Sequence, residues 1–258
     1  MINNPPVLKR RLQSMDRMIG TFLKTPSQTV AEILASTQLD MLCVDAEHAP
    51  FDRGDLDGVV LACRAYAMPV LIRIPSAEPE HVLNALDLGA TGIIAPHVTC
   101  AAEARRLVQM AHFGAGGRGY AGSPRAAHYT KRPMAEHLAR SRTETVVIAM
   151  IEDVEAVEAI DEIATTENLD GLFVGRADLT VAYGKSDPQD PVVVAAVERV
   201  CRAAHEAGRA LGMFVPRVDE VPRWTAKGAS FFLLESDQTF LLRGAESLVA
   251  RFAELSVG

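Results

Sequence analysis

The side chains with chemistry to offer stand where apolar runs stop. Met41-Leu-Cys-Val44 empties into Asp45, Glu47 and His48, Val146-Val-Ile-Ala-Met-Ile151 ends on Glu152, and Leu172-Phe-Val-Gly-Arg-Ala177 leads to Asp178. Two protein carboxylates leave positions open on a hard divalent ion such as Mg2+, so Glu152 and Asp178 are candidate metal ligands. The plainer alternative makes Glu152 a helix cap and Asp178 a turn residue. Arg73 stands in the otherwise apolar Val70-Leu-Ile-Arg-Ile74. There it must meet an anion or a carboxylate, either as a structural ion pair or as a clamp for substrate charge. His48, at a strand exit, is a candidate acid–base group against the alternative of a loop histidine bonded to backbone, and His97, after Ala95-Pro96, is its competitor.

Other motifs weaken on inspection. Gly114-Ala-Gly116-Gly-Arg-Gly119 matches the dinucleotide pattern, but a helical stretch precedes it and Tyr120-Ala-Gly-Ser-Pro124 follows, which fits an anion-contacting loop better than a nucleotide fold. Gly184-Lys-Ser186 has Leu179 where a phosphate loop needs glycine, and no serine or cysteine has a nucleophile context. Lys24 invites a Schiff-base reading, yet beside Thr25-Pro26 it is read as solvated. Cys43, Cys63, Cys100 and Cys201 are widely spaced in apolar surroundings and read as core thiols.

The elements that must carry these groups alternate. Met18 to Leu23 reads as a strand, and Val30, Ile33 and Leu34 follow at helical spacing behind Thr25-Pro-Ser27. The unit recurs from Met41, Val70, Gly92, Val146, Gly171, Ala210 and Phe231, with helices predicted after each, including 154–163 as one helix, one from Val218 and one over 240–252. Eight alternations is the count of a closed (β/α)8 TIM barrel, although a doubly wound open sheet shares the alternation. The stretch 112–145 is a long insertion with five glycines, and a short helix is expected near 133–140. The whole chain, 1–258, reads as one domain.

Of the 258 residues, 48% are hydrophobic and 23% charged, enough to fill a large core. The balance of 26 Lys and Arg against 33 Asp and Glu argues against nucleic acid and anionic membrane as partners. No apolar run approaches a membrane span, and a soluble, cytoplasmic protein is expected.

From about Met18 onward the chain resembles the HpcH/HpaI metal-dependent (class II) aldolases of the phosphoenolpyruvate/pyruvate barrel superfamily. The resemblance rests on Asp45-Ala-Glu-His-Ala-Pro50, Ile72-Arg73, Leu86-Asp-Leu-Gly-Ala90, Ile151-Glu152, Asp170-Gly-Leu-Phe-Val-Gly175 with Ala177-Asp-Leu179, and Glu235-Ser-Asp237, all in order. It implies reversible aldol cleavage of 4-hydroxy-2-oxo acids to pyruvate, or a close analogue, and an aldehyde. It further implies Mg2+, Mn2+ or Co2+ held by Glu152 and Asp178, His48 as base and Arg73 steadying charge. The backbone at Ala177 would contact the substrate carboxylate, and a trimer or hexamer is implied. Asp87 matches a carboxylate that raises the basicity of the histidine. Lying just before the fourth strand, it is at the wrong end of its own barrel, so a neighbouring subunit would supply it, with Asp45 as the local alternative.

Two positions depart from the family pattern. Met150 stands where many members have glutamine and cannot donate a hydrogen bond to substrate. Arg176 replaces a common proline, and the added cation points to a more acidic or bulkier acceptor. A citrate-lyase-like or malyl-CoA-like thioester lyase, and a barrel that has lost catalysis, are the competing functions.

Overall fold

Short β-branched and aliphatic runs form the strands Met18–Leu23 (β1), Met41–Asp45 (β2), Val70–Arg73 (β3), Gly92–Ala95 (β4), Val146–Ile151 (β5), Gly171–Val174 (β6), Ala210–Val215 (β7) and Phe231–Ser236 (β8) in the computed structural model. Residues 5–255 are described; the ends of the expected domain, 1–4 and 256–258, lie outside them. All eight strands pair in parallel and in chain order, and β1 also pairs with β8, closing the barrel and excluding the open sheet.

The helices are Pro5–Gln13 (α1), Gln28–Ala35 (α2), Arg53–Ala65 (α3), Pro79–Asp87 (α4), Ala101–Ala111 (α5), Met134–Glu144 (α6), Val154–Glu158 (α7), Ile160–Ala164 (α8), Arg176–Ala182 (α9), Pro191–Glu206 (α10), Val221–Thr225 (α11) and Asp237–Leu255 (α12). Local signals start several of them. Ser27 caps α2, Asp52 and Asp55 form a reciprocal capping box on α3, and Pro191 opens α10 behind Asp190. The single helix expected over 154–163 is two, broken at Ala159, and that expected from Val218 is a 3-10 turn running into α11.

Alternation along the strands sorts side chains into two layers. Met41, Cys43, Leu71, Ile94, Ile148, Met150, Phe173 and Leu233 fill the barrel, whereas Leu42, Val44, Ile72, Ile93, Val147 and Val174 face the helices. Gly212 makes room inside, since a Cβ there would sit 2.1 Å from the Phe231 ring. The strand–helix alternation does not announce α1, whose Leu8 and Leu12 join the interior cluster. Its Lys9 bonds the Thr145 carbonyl (2.8 Å) and pairs with Asp170 (3.0 Å), whose carboxylate also accepts from the Val147 amide. The helix therefore plugs the N-terminal end of the barrel. Cys43, Cys63 and Cys201 are buried as expected, but Cys100 is half-exposed at the start of α5.

The insertion is ordered by its arginines as well as by α6. Arg125 donates to the carbonyls of Asp57 and Leu88 (3.1 Å each) and pairs with Asp57 at 2.8 Å.

Candidate active site

The same period of two that fills the barrel aims the polar groups. Two residues beyond inward Phe22, Cys43, Leu71 and Met150 come Lys24, Asp45, Arg73 and Glu152, at the C-terminal ends of β1, β2, β3 and β5. Asp45 and Arg73 are register partners on adjacent strands.

Asp45 is fully buried and is the hub. Its Oδ1 accepts from Arg73 Nε (3.0 Å) and lies 2.8 Å from Nη2, while Lys24 Nζ is 3.0 Å from Oδ2. The His48 amide also donates to Oδ1 at 3.1 Å. Burial alone would raise this carboxyl's pKa, but Arg73, Lys24 and the amide outweigh it and hold the pKa below the ordinary value. Asp45 thus positions the His48 backbone rather than its ring. The expectation of a solvated Lys24 is corrected, because the buried carboxylate captures it.

Arg73 is held further by Glu47, 3.3 Å from Nε, and its guanidinium lies 4.8 Å from the Phe22 ring centroid. Among the described residues the one hydrogen-bond partner of Nη1 is the Met150 sulfur, at 4.0 Å, a weak acceptor. One face of the fork is fixed and the other faces the cavity.

Glu152 is buried at the end of β5 and accepts from the His97 amide (2.8 Å), with His97 Nδ1 3.5 Å from Oε1. Burial pushes its pKa up to about 7, and the charges of Asp178 and Glu47 push the same way. His97 adopts a left-handed φ of 53°, rare outside glycine, which turns both its amide and its ring toward Glu152. Its ring is also bonded to Asp153 (3.1 Å), and these carboxylates raise its pKa against the opposing effect of burial. Gly175 is required here for space, since a Cβ would lie 2.8 Å from Glu152 Oε2 and from Met150 Cε.

Glu47, His97 and Glu152 each offer a ligand atom, all within 4.8 Å of one another. Two carboxylates and an imidazole suit a divalent cation, and Glu152 is a buried carboxylate whose high pKa a cation would relieve. The residues fit a metal. Glu152 belongs to this cluster and to the pair expected from the sequence; Asp178 lines the adjoining cavity close enough to raise the pKa of Glu152. Glu47 at the strand exit and His97, the rival of His48, are legible in the sequence as polar strand ends, but nothing local marks either as a metal ligand.

A cavity of about 600 Å³ opens beside the cluster and brings together His48, Arg73, Met150, Ala177 and Asp178, with Arg176 on its wall. The His48 ring is largely exposed, its Nε2 3.7 Å from Glu47. Arg176 is not a free cation. It pairs with Glu220 at 2.8 Å and lies 5.0 Å from the Trp224 ring centroid, which removes the argument for an acidic acceptor. Asp87 ends α4 on the opposite side of the barrel, 3.9 Å from Arg118 Nε, and does not join the site within one chain.

Comparisons with known proteins agree with this geometry. The chain is 34% identical over 244 residues to a hydroxypyruvate/pyruvate aldolase of Paraburkholderia phytofirmans, covering 92% of this chain and 93% of the relative. It is 32% identical over 247 residues to a 4-hydroxy-2-oxo-heptane-1,7-dioate aldolase of Escherichia coli, covering 95% and 94%. A crystal structure of an HpcH/HpaI aldolase/citrate lyase family protein from Burkholderia cenocepacia superposes with a TM-score of 0.91 at 32% identity, covering 95% of this chain and 98% of that one. The profile of the HpcH/HpaI aldolase/citrate lyase family matches residues 18–243. With a closed barrel and polar strand ends converging on one cavity, the chain belongs to the HpcH/HpaI aldolase/citrate lyase family and is a carbon–carbon lyase.

Proposed function

We propose that this single-domain barrel catalyses the reversible aldol cleavage of 4-hydroxy-2-oxo acids, releasing pyruvate or hydroxypyruvate and an aldehyde. The names of its two aldolase relatives support the substrate class. The observation that carries the reading is Arg73, clamped by Asp45 and Glu47 so that Nη1 is left for a substrate oxygen beside the Glu47–His97–Glu152 cluster.

In this reading His48 takes the proton of the 4-hydroxyl as the C3–C4 bond breaks. The carbinol carbon leaves as the aldehyde, and the bonding electron pair stays on C3 of the 2-oxo acid. Arg73 Nη1 steadies the negative charge that spreads to the keto oxygen, and the backbone at Ala177 holds the substrate carboxylate. Proton return to C3 completes the 2-oxo acid. Glu152, with Asp178 or with Glu47 and His97, would hold Mg2+, Mn2+ or Co2+. When bound, such an ion supplies positive charge to the oxygens of the oxo acid.

The cations lining the cavity, Lys24, Arg73 and Arg176, are all paired with acids, and the one Arg73 nitrogen left over sits beside the Glu47–His97–Glu152 cluster, which favours the aldolase over a thioester lyase that must also hold cofactor phosphates. We also take the working protein to be a homo-oligomer, in which Asp87 of one subunit serves the histidine of another. The outer face of α12 exposes Leu241, Leu248 and Val249, apolar area that an interface would cover.

The test is a lactate-dehydrogenase-coupled assay of 2-oxo acid release from 4-hydroxy-2-oxo acids. Activity abolished by EDTA, restored by Mg2+, Mn2+ or Co2+ and lost in His48→Ala supports the reading. Turnover of CoA thioesters alone, or full activity in His48→Ala, refutes it.

A further inference from the structure

A second cavity, about 270 Å³, opens at the N-terminal end of the barrel, away from the catalytic mouth. Its walls are the end of α3, the turn between α4 and β4, the insertion, and α6. Arg64, Arg118, Arg132 and Arg140 line it against a single carboxylate, Glu144, in a chain of formal net charge -7. His128 and His137 line it as well.

The nearby acids leave much of this charge unanswered. Glu144 pairs with Arg140 at 2.9 Å, and Glu136 lies 3.4 Å from Arg132. Arg118 reaches no closer than 3.9 Å to Asp87 and stacks 4.0 Å from the Phe113 ring centroid. Among the described residues Arg64 has no ion pair. Among the lining residues Arg118 (7% exposed), His137 (3%) and Ser141 (6%) are more than nine-tenths buried. Yet Arg118 Nε, His137 Nε2 and Ser141 Oγ have no hydrogen-bond partner among the described residues. A buried polar atom without a partner costs about 1–3 kcal/mol, so this wall is held together less tightly than the rest of the core, and the guanidinium groups that line the cavity carry more charge than the one carboxylate there balances. The physical chemistry agrees: burial, and after it the charges of Arg118, Arg132 and Arg140, hold His137 below its ordinary pKa, a repulsion that a bound anion would relieve.

We propose that this cavity binds a small phosphate-class oxyanion, free or as an ester, apart from the catalytic cavity of the same chain. Donors on three walls suit a tetrahedral group with acceptors on every side better than a planar carboxylate, which one guanidinium fork satisfies. The volume exceeds that of phosphate alone and leaves room for a short carbon skeleton or a second phosphoryl group. The inference stands independently of the aldolase reading.

Calorimetric titration of the full-length chain with inorganic phosphate and pyrophosphate, at matched ionic strength, tests it. Saturable binding is expected, with pyrophosphate the tighter and affinity about tenfold weaker for each guanidinium removed in Arg64→Leu and Arg140→Leu. Arg73→Ala, at the catalytic mouth, should bind the anion as the parent does. Circular dichroism checks that the double variant folds; if it does not, Arg64→Leu alone, at an exposed and unpaired position, must still weaken binding. Absence of saturable heat, unchanged affinity in the folded double variant, or loss of binding in Arg73→Ala overturns the proposal. A changed oligomeric mass in the double variant without any anion heat overturns it too, and assigns the arginines to a subunit contact.

Discussion

Replacing Asp45 by asparagine preserves shape and removes one charge from the centre of the site. The wild-type carboxylate is fully buried and faces Arg73 through contacts of 2.8 and 3.0 Å, Lys24 at 3.0 Å and the His48 amide at 3.1 Å. Removing one member of a buried ion pair costs about 3–5 kcal/mol, because the other charge is stranded. Here Glu47 remains 3.3 Å from Arg73, and the Lys24 side chain is 32% exposed and can turn to water, so we expect about 2–4 kcal/mol. Arg73 and the His48 backbone lose their common anchor, and a shift of about 1 Å in such groups lowers kcat by about 10²-fold. Urea unfolding at pH 7 measures the first effect and the coupled assay the second. The sign of the pH dependence follows from the depressed pKa of Asp45. Its stabilisation is fully present above the unfolded value of about 3.9 and is lost as pH falls through the lower folded value, so parent and variant converge in acid. A variant within about 0.5 kcal/mol of the parent at pH 7, with kcat within threefold, would refute the hub role of Asp45.

Four further outcomes are expected. In Gly175→Ala the new methyl meets Glu152 and Met150 at 2.8 Å, so kcat/KM should fall about 10–100-fold with only about 1–3 kcal/mol lost in unfolding; unchanged kinetics would mean that Glu152 is not poised at the cavity. Because the pKa of Glu152 lies near 7, proton and cation compete: calorimetric Mn2+ affinity should rise about tenfold per pH unit toward pH 7 and level above it, and Glu152→Gln should abolish that slope. In the metal-free chain the same raised pKa makes the contribution of Glu152 to stability greatest below the unfolded value of 4.5 and lower as pH climbs toward 7, so the stability difference between parent and Glu152→Gln in chemical unfolding should move against the parent over that range, and the opposite movement would mean a downward shift. Leu241→Glu with Leu248→Glu should lower the sedimentation mass, and an unchanged mass would remove α12 from the subunit interface.

Local chemistry made the strands legible. A run such as Val146–Ile151 announces a buried strand by composition, and its period of two also points Met150 and Glu152 the same way. The eight-fold alternation, the inward Arg73 and the acidic ends of β2 and β5 needed nothing more. The role of α1 escaped because Leu8 and Lys9 acquire meaning only when the open end of a barrel and Asp170 lie beneath them. Arg176 looked like a new charge at the pocket, since Glu220, 44 residues on, is brought to it only by the packing of the loop after β7.

The amino-acid order, then, determined which residues line the barrel and leave its C-terminal rim, because alternation and capping act over a few bonds. Only the closed fold decided that Glu47, His97 and Glu152, drawn from three strand ends, share one small volume while Asp87 is carried to the far side. That grouping depends on the circular order of strands and on a left-handed turn at His97, and contacts across such separations leave no local trace in the chain.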